Sequence, residues 1–372
     1  MVCPRLLLVC LALFATADAA EPELRGVEGK AVFSSAKLME SLAAKRVVFV
    51  GESHERPDHH KVQLDIIRAM HKANPELAIG VEQVQRAFQR PVDEYIAGRI
   101  DESEFLRQIE YYERWRYDYR LYASIFRFAR ENKIPVVALN VPTALSRAVA
   151  KAGIGGLTDE LKKDVPKEMD KADEAYRARL KKAFDSHAPG QTSGFDKFLE
   201  AQLIWDEGMA ESASIYLNAN PAKRMVVIAG AGHIAHGAGI PKRVERRTKA
   251  SWASVLVYEA ADPDSTAADY VVFSNSEEEL PPAGKLGVEF ETHQPSGVRL
   301  KSVDAKGGAA KAHLRAGDVV TAIDGKPVTK TSDARVLLWE KTPGDSVKLT
   351  VRRKGRFGGI RSRTVAVVLS SL

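Results

Sequence analysis

Cysteine is almost absent from this chain of 372 residues, because Cys3 and Cys10 are its two cysteines and both lie near the N-terminus. Long hydrophobic runs are also scarce. The one extended run, Leu6–Phe14, is too short to cross a bilayer. It follows the cation Arg5 and precedes small residues, so we predict a secretory signal peptide over residues 1–20.

A mature chain without cysteine can form no disulfide, no Cys-based zinc site and no Cys nucleophile. A metal would then have to be held by His, Asp, Glu or Tyr. The sequence contains no CxxCH motif, which excludes covalent attachment of a c-type haem. Because the predicted cleavage site has no lipid-accepting cysteine, we expect a periplasmic or secreted protein without a lipid anchor and without a transmembrane helix in the mature chain.

The composition, 45% hydrophobic and 28% charged, excludes a wholly disordered chain, and the length is sufficient for two domains. The net charge of +6 is unevenly distributed, since residues 281–372 carry 17 Lys and Arg against 8 Asp and Glu. Such basic clusters are usually solvated strand ends and turns. For an exported chain we therefore expect no nucleic-acid partner.

Residues 21–274 alternate short apolar runs with longer helical stretches, which is the pattern of βαβ units. This predicts an α/β domain with a mostly parallel sheet flanked by helices. The predicted strands are rich in Val and Ile, as strands buried on both faces should be. They are Arg46–Val50, Leu77–Val81, Pro135–Leu139, Met225–Ala229 and Ser254–Tyr258, with Tyr270–Phe273 placed at an edge.

A long insertion at about residues 146–222 separates the third and fourth predicted strands and indicates a helical subdomain. The second half of the insertion is amphipathic. The residues that share its predicted buried face are Phe195, Phe198, Leu199, Gln202, Asp206, Met209 and Ala213. Gln202 and Asp206 are polar members of this apolar face, so either they make structural hydrogen bonds or they point into a site.

Polar residues follow four of the predicted strands directly: Glu52 and His54, then Glu82, then Asn140, and finally His233. The C-terminal ends of parallel strands lie along one sheet edge, where α/β proteins place ligands. Two carboxylates and two imidazoles suit a divalent ion such as manganese or zinc. The same set could serve as a general acid/base cluster without metal.

Other histidines have weaker claims to a site. His59, His60 and His71 lie on the helix predicted after the first strand, and we expect them at the surface. His236 lies beyond the end of the fourth strand.

The segment Tyr111–Phe128 holds five of the ten tyrosines of the chain. On a continuous helix, Tyr112, Trp115, Tyr119 and Tyr122 would share one face. Ordinary core packing is one interpretation of this face. The alternative is an aromatic wall for a flat apolar ligand, in which the phenolate of Tyr112, Tyr119 or Tyr122 ligates ferric haem iron.

After the α/β region, residues 275–284 combine carboxylates, two prolines and a glycine with nothing to bury, which predicts an interdomain linker. The remaining residues, 285–372, contain regular Gly, Pro and Asp punctuation and suit one small β-rich domain.

Five ordered motifs between about residues 30 and 260 resemble those of the ChaN family of haem-binding envelope proteins. They are GESH at 51–54, VEQ at 81–83, PVVALNVP at 135–142, FLEAQLIWDEGMAES at 198–212 and VVIAGAGHIAHGAGIPKRV at 226–244. The resemblance implies haem binding in iron acquisition, with the iron ligated by tyrosine at a homodimer interface.

More distantly, the same motifs resemble the Tiki metalloproteases and the erythromycin esterases. In those families an acidic and histidine segment, a second glutamate and a late histidine form the active centre. The resemblance implies that Glu52, His54, Glu82 and His233 would inherit this role. A metal-dependent hydrolase is therefore the alternative to haem binding.

The tail resembles a PDZ domain of the bacterial protease-associated kind. Leu286, Gly287 and Val288 match the carboxylate-binding loop, AHLRAGDVVTAIDGKPV at 312–328 matches the central stretch, and Ser332–Leu338 matches the groove helix. The resemblance implies capture of the C-terminal peptide of another envelope protein, which would add a strand to the sheet edge.

Overall fold

The computed structural model describes residues 25–28, 31–187, 194–258, 266–274, 279–294, 297–355 and 359–371. The predicted signal peptide at 1–20 and the start of the predicted linker, 275–278, lie outside the described residues. Within the described ranges, no helix is long and apolar enough to span a membrane.

The first domain is built on a sheet of eight strands within the described part of the chain. The strands are β1 (Arg25–Glu28), β2 (Ala31–Phe33), β3 (Val47–Glu52), β4 (Leu77–Gln85), β5 (Val136–Asn140), β6 (Arg224–Gly230), β7 (Trp252–Tyr258) and β8 (Tyr270–Phe273). Their order across the sheet is β2-β1-β8-β7-β3-β6-β4-β5.

The six strands from β8 to β5 run parallel, whereas β1 pairs antiparallel with both β2 and β8. The predicted α/β fold with a mostly parallel sheet is confirmed. The prediction that Tyr270–Phe273 lies at an edge was wrong. The short strand β1, which the sequence pattern did not reveal, covers the outer side of β8.

Helices cover both faces of this sheet. They are α1 (Ser35–Ala43), α2 (Pro57–Ala73), α3 (Gln89–Ile96), α4 (Glu102–Gln108), α5 (Tyr111–Arg114), α6 (Ala123–Glu131), α7 (Thr143–Ala152), α8 (Asp159–Lys162), α9 (Glu174–His187), α10 (Phe195–Ala219), α11 (Ala231–Ile234) and α12 (Ile240–Thr248). Alternate residues of β3 enter opposite cores: Val48 packs with the helices before β5, and Phe49 packs with α10 and α12. The helices α8 to α10 lie within the insertion predicted at about residues 146–222, and α10 packs against the sheet.

The segment Tyr111–Phe128 is not one continuous helix, so the shared helical face considered for its aromatic residues does not form. Helix α5 ends at Arg114, and Arg116 adopts a left-handed backbone conformation with φ of 74°. A short 3-10 turn, Tyr119–Leu121, and α6 then follow. The break turns the aromatic rings in different directions instead of aligning them on one face.

Over its described residues, the second domain is a small antiparallel sheet with two helices, as expected for the β-rich tail. Its strands are β9 (Val288–Gln294), β10 (Gly297–Val303), β11 (Val319–Ile323), β12 (Lys326–Pro327), β13 (Ser346–Lys354) and β14 (Ile360–Val368), and its helices are α13 (Gly308–Lys311) and α14 (Thr331–Leu338). Strand β9 is an edge of the described sheet, with order β14-β13-β11-β10-β9.

Candidate functional site

The ends of the central strands lie at the same level, because the parallel register pairs Glu52 of β3 with Gly230 of β6. On the other side of β6, β4 is aligned so that Val81 pairs with Ile228. The Gly230 N–H donates a hydrogen bond of 2.7 Å to Glu82 Oε2. The prediction that Glu52, Glu82 and His233 share one sheet edge therefore agrees with the structure.

The Glu52 carboxylate is buried and surrounded by donors. It accepts hydrogen bonds from His54 Nδ1 at 2.8 Å, from Gln63 Nε2 at 2.7 Å and from the Tyr122 hydroxyl at 2.7 Å. Burial alone would raise the pKa of Glu52, but hydrogen bonds from His54 and His60 outweigh burial and hold that pKa well below its usual range. This carboxylate is therefore ionised and fully engaged.

His60 is part of the same cluster and not a surface residue as predicted. Only 2% of its surface is exposed, because α2 turns this residue inward toward the end of β3. Its Nδ1 faces Gln63 Oε1 and Glu52 Oε2, and its Nε2 faces the His54 carbonyl oxygen. Burial lowers the pKa of His60, but Glu52 outweighs burial and raises it. Both ring nitrogens face acceptors, and this geometry favours the protonated form of the buried His60 ring.

His59 is also buried, again contrary to the surface prediction. Its Nδ1 accepts a hydrogen bond of 2.9 Å from the Ser53 N–H, which fixes the turn that follows β3. Burial lowers the pKa of His59, so this ring is neutral and structural. Of the other two histidines, His71 packs edge-on against Phe128, and His236 is exposed.

A second chain of polar groups runs from α9 to the end of β4. The Tyr176 hydroxyl donates to Asp206 Oδ2 and His233 Nδ1 donates to Asp206 Oδ1, both at 2.6 Å. His233 Nε2 faces Glu82 Oε1 at 3.5 Å. Burial lowers the pKa of His233, but Asp206 and Glu82 outweigh burial and raise it to about 9.

Of the three residues predicted to support the site, Asp206 and Asn140 make hydrogen bonds to its described residues, and Gln202 does not. Asp206 points into the site, as one of the two interpretations of its helix face required. Asn140 Nδ2 donates to the Glu82 carbonyl oxygen at 3.0 Å and so fixes the end of β4. Gln202 is half-buried on α10 and contacts none of the described site residues through a hydrogen bond.

The four predicted metal ligands do not form one converging set. Among the described residues, no group of three or more His, Asp or Glu side chains is arranged to hold a metal ion. Glu52 pairs with His54, and Glu82 pairs with His233, so the carboxylates face imidazoles. This donor arrangement does not fit a shared divalent ion, and it suits the acid/base interpretation of the same residues better.

An aromatic face covers the outer side of His54, whose side chain is 25% exposed. The Trp115 ring lies 4.9 Å from the His54 ring, and the Tyr117 ring lies 4.8 Å from it. Trp115 and Tyr117 come from the loop between α5 and the 3-10 turn, which the helix break at Arg116 directs toward the strand ends. We call His54, Trp115 and Tyr117 the aromatic face.

The predicted haem ligands occupy different environments. Tyr119 and Tyr122 are both 0% exposed. Their hydroxyls donate to Glu102 at 2.9 Å and to Glu52 at 2.7 Å. Burial raises the pKa of both phenols, and the carboxylates raise it further. Tyr112 is half-buried and faces the second domain, where Arg335 lies over its ring.

Tyr117 was not among the predicted site residues, although it is the tyrosine of the aromatic face. Tyr117 is half-buried, as Tyr112 is, and its hydroxyl has no hydrogen-bond partner within the described chain. Burial raises the pKa of Tyr117, and Glu55, Glu82 and Glu52 raise it further. Spacing could not single out Tyr117, because it falls off the face of the helix that the sequence predicted.

A cavity of about 440 Å³ opens beside Tyr117. It is lined by Glu55, Arg116, Tyr117, Asp118, Leu121 and Leu280. The lining therefore combines two leucines, one guanidinium, one phenol and two carboxylates at the rim of the sheet-edge site.

A second cavity, of about 640 Å³, lies in the second domain between β9 and α14. The loop before β9 contains Gly287, whose φ is 72° and whose added Cβ would lie 2.7 Å from Gly307 Cα. Only glycine fits this close backbone approach. Leu286 is buried, and Val288 lines the cavity. That these residues bind a carboxylate stays a prediction.

These features define the class of protein: a parallel α/β domain with an acid and imidazole cluster at its strand ends, joined to a small β domain with a strand-and-helix groove. The chain belongs to the ChaN-like haem-binding family of the Tiki superfamily. That family, described as "Haem-binding uptake, Tiki superfamily, ChaN", matches this chain over residues 38–244. A PDZ domain matches residues 284–360.

Two curated relatives match different parts of the chain. Protein RETICULATA-RELATED 5, chloroplastic, of Arabidopsis thaliana is 22% identical over 262 residues, which cover 64% of this chain and 35% of that protein. The serine protease Do-like HtrA of Lactobacillus helveticus is 30% identical over 77 residues, which cover 21% of this chain and 19% of the protease. The chain thus spans about a third of the length of the Arabidopsis protein and about a fifth of the length of the protease.

A solved structure shares the fold of the first domain. ChaN of Campylobacter jejuni, the subject of a structure of cofacial heme binding, has a TM-score of 0.55 and 16% identity to this chain. The match covers 67% of this chain and 96% of the Campylobacter chain. The α/β architecture predicted from the sequence is therefore that of a ChaN protein.

Proposed function

We propose that this protein binds haem at the aromatic face, with Tyr117 as the ligand of the ferric iron. The observation that carries this proposal is the contrast among the tyrosines. The phenols of Tyr119 and Tyr122 are buried and donate to carboxylates, whereas the phenol of Tyr117 is half-exposed beside the cavity and has no partner among the described residues.

The side chains around Tyr117 suit the chemistry of haem. A porphyrin is flat and apolar, and Trp115, Leu121 and Leu280 offer apolar surface at its proposed position. Its propionates are anionic, and the guanidinium of Arg116 lines the same cavity. The cavity also contains the carboxylates of Glu55 and Asp118, the latter paired with Arg120. Ferric iron supplies a positive charge that stabilises a phenolate. Binding of the iron would offset the burial and the nearby carboxylates that keep Tyr117 protonated in the free protein.

A haemin titration tests this proposal. We expect a saturable change of the Soret band for the wild type and at least a tenfold weaker affinity for Tyr117→Phe. Tyr216→Phe is the matched control. Tyr216 is also half-exposed, but it lies on α10 next to Leu217, whose carbonyl accepts from Arg46 Nη2 at 2.8 Å at the opposite end of the sheet. Equal affinities of the two variants would overturn the assignment of Tyr117.

The assembly state follows from the same proposal. ChaN of Campylobacter jejuni binds heme cofacially, and we extend this arrangement to a haem-bridged homodimer of the present chain. Light scattering coupled to size exclusion tests it, since the wild type should change from monomer to dimer with haemin and Tyr117→Phe should not. A mass that does not depend on haemin would contradict the proposed assembly.

Export and a role in iron uptake are further parts of this proposal. They are supported by the apolar run at Leu6–Phe14 and by the family description. Fractionation of cells that express the full chain, followed by sequencing of the N-terminus of the purified protein, tests export. We expect a processed chain in the envelope fraction that begins near residue 20. An unprocessed cytoplasmic chain would contradict this expectation.

The second domain is proposed to bind the C-terminus of another envelope protein. The support is the groove between β9 and α14 together with the tight Gly287 loop, whose backbone N–H groups can donate hydrogen bonds to a carboxylate. A labelled peptide with a free terminal carboxylate should bind, and the same peptide with an amidated C-terminus should not.

Hydrolysis is a second candidate function because of the Asp206–His233–Glu82 chain. Asp206 orients the His233 ring, and a histidine oriented by a carboxylate is the usual arrangement for acid/base chemistry. A screen of ester and peptide hydrolysis with and without added Mn²⁺ or Zn²⁺ tests this candidate. Hydrolysis at this site requires turnover that His233→Ala abolishes. Turnover that is unchanged in His233→Ala would exclude a hydrolytic role for the Asp206–His233–Glu82 chain.

A further inference from the structure

The groove of the PDZ domain is partly walled by the first domain. Tyr112 and Arg116 line its cavity of about 640 Å³ together with Asp118, and all three lie outside the PDZ domain itself. Contacts between the domains hold this wall in place. The Ser332 hydroxyl of α14 donates to Glu113 Oε1 at 2.6 Å, and Lys330 forms an ion pair with the same carboxylate.

Rings reinforce the same contact between the domains. The Trp339 ring, directly after α14, lies 4.9 Å from the Tyr119 ring. The guanidinium of Arg335 lies over the Tyr112 ring, 6.0 Å from its centre. The first domain is therefore packed along the whole length of α14, from Lys330 before it to Trp339 after it.

Among the charged residues that line this groove, the acids have ion-pair partners, whereas three of the cations have none within the described residues. Its two acids already have cations: Asp118 accepts from Arg120 Nη2 at 2.6 Å, and Glu289 accepts from Lys301 Nζ at 2.7 Å. Three exposed cations, Arg116, Lys285 and Arg335, line the groove without a carboxylate partner within the described residues. The lining thus has an excess of positive charge that a ligand could neutralise.

We propose that this groove is a composite site for an acidic C-terminal peptide, and that Arg116 of the first domain selects acidic side chains upstream of the terminal carboxylate. This inference rests on the proposed peptide-binding function of the PDZ domain. A peptide whose carboxylate enters the loop at Leu286–Val288 extends along β9 and α14 and past the wall formed by Tyr112 and Arg116.

Fluorescence polarisation with the full chain and two labelled decapeptides tests the proposal. Both peptides end in a valine with a free carboxylate, and they differ in three upstream residues, which are glutamates in one and glutamines in the other. At low salt we expect the glutamate peptide to bind about tenfold more tightly, and we expect the difference to shrink at 0.5 M salt because exposed charges are screened.

Arg116→Gln should weaken binding of the glutamate peptide about three- to fivefold and leave the glutamine peptide unchanged, as loss of one exposed ion pair predicts. The matched control is Arg90→Gln. It removes the same charge from α3, where Arg90 is exposed and pairs with Glu94, and does not line the groove. The control should not alter either affinity.

The outcomes distinguish a failure of the PDZ peptide-binding function from a failure of the role proposed for the first domain. If neither peptide binds, or if amidated peptides bind equally well, the peptide-binding function fails and the composite site fails with it. If both peptides bind through their carboxylates but with equal affinity, or if Arg116→Gln and Arg90→Gln behave alike, the PDZ function stands and the role of the first domain is overturned.

Discussion

Two groups of side chains at the same sheet edge differ in how completely they are satisfied. Around Glu52, the His54 imidazole, the Gln63 amide and the Tyr122 phenol are all hydrogen-bonded to one buried carboxylate. On the aromatic face, the Tyr117 ring lies 4.8 Å from the His54 ring. Tyr117 is half-buried, and its hydroxyl has no hydrogen-bond partner among the described residues. Residue type alone does not distinguish these two groups of side chains, because both contain histidine and tyrosine.

The difference indicates what each group does. A buried carboxylate with donors on all sides fixes the positions of the elements that supply those donors, here β3, α2 and the segment before α6. An unpaired polar group at the rim of a cavity is available to a ligand. The Glu52 cluster therefore positions the loop, and the loop presents Tyr117. The following predictions, from the largest expected effect to the smallest, test this division.

Loss of the Glu52 charge should cause the largest change in stability. Glu52→Gln leaves the buried His60 imidazolium without its carboxylate, so we expect the free energy of unfolding of the first domain to fall by about 3–5 kcal/mol. Urea unfolding followed by tryptophan fluorescence measures this change. Glu55→Gln is the control, since Glu55 is exposed three residues further along the chain and should have little effect. Equal losses in the two variants would remove the positioning role of Glu52.

The His233 site should make stability depend on pH. The pKa of His233 is raised to about 9 in the folded state, above the ordinary value of 6.5. Protonated His233 therefore stabilises the fold fully below about pH 6.5, and this contribution is lost as the pH rises through 9.

Asp206→Asn isolates this contribution from other titrating groups. The difference in the free energy of unfolding between wild type and Asp206→Asn should shrink by roughly 2–3 kcal/mol between pH 6 and pH 9.5. Unfolding curves in buffers of constant ionic strength measure it. A difference that stays constant or grows with pH would mean that Asp206 does not stabilise the imidazolium.

Among the tyrosines, the hydroxyl of Tyr122 should matter for folding, and that of Tyr117 should not. Tyr122→Phe removes a hydrogen bond to a buried carboxylate, so we expect a loss of about 1.5–3 kcal/mol in the free energy of unfolding. For Tyr117→Phe we expect a change within about 0.5 kcal/mol. Thermal and urea unfolding compare them. A large loss for Tyr117→Phe would place Tyr117 with the structural residues.

The sequence predicted the parallel sheet and the polar strand ends well, because both depend on local patterns. Short Val- and Ile-rich runs indicate strands buried on both faces, and parallel topology brings their ends to one edge. Asp206 was also identified, since a carboxylate within an apolar helix face needs a buried partner. That partner is His233, 27 residues further along the chain.

The parts that sequence did not predict depend on how the chain packs. His60 and Gln63 are three residues apart on α2, on the side that also carries Ile67, and this spacing was a signal that His60 points inward. The break at Arg116 had no comparable signal, because nothing in a run of aromatic and charged residues marks a positive φ. Tyr117 could be recognised only after that break was known.

The central claim, that the half-buried Tyr117 and not the fully buried Tyr119 or Tyr122 ligates haem, is tested most directly by spectroscopy of the bound complex. Resonance Raman spectra of the haemin complex should show iron–phenolate vibrations in the wild type and in Tyr119→Phe, and Tyr117→Phe should lose them while it stays folded. A phenolate spectrum that persists in Tyr117→Phe and disappears in Tyr119→Phe or Tyr122→Phe would contradict the account.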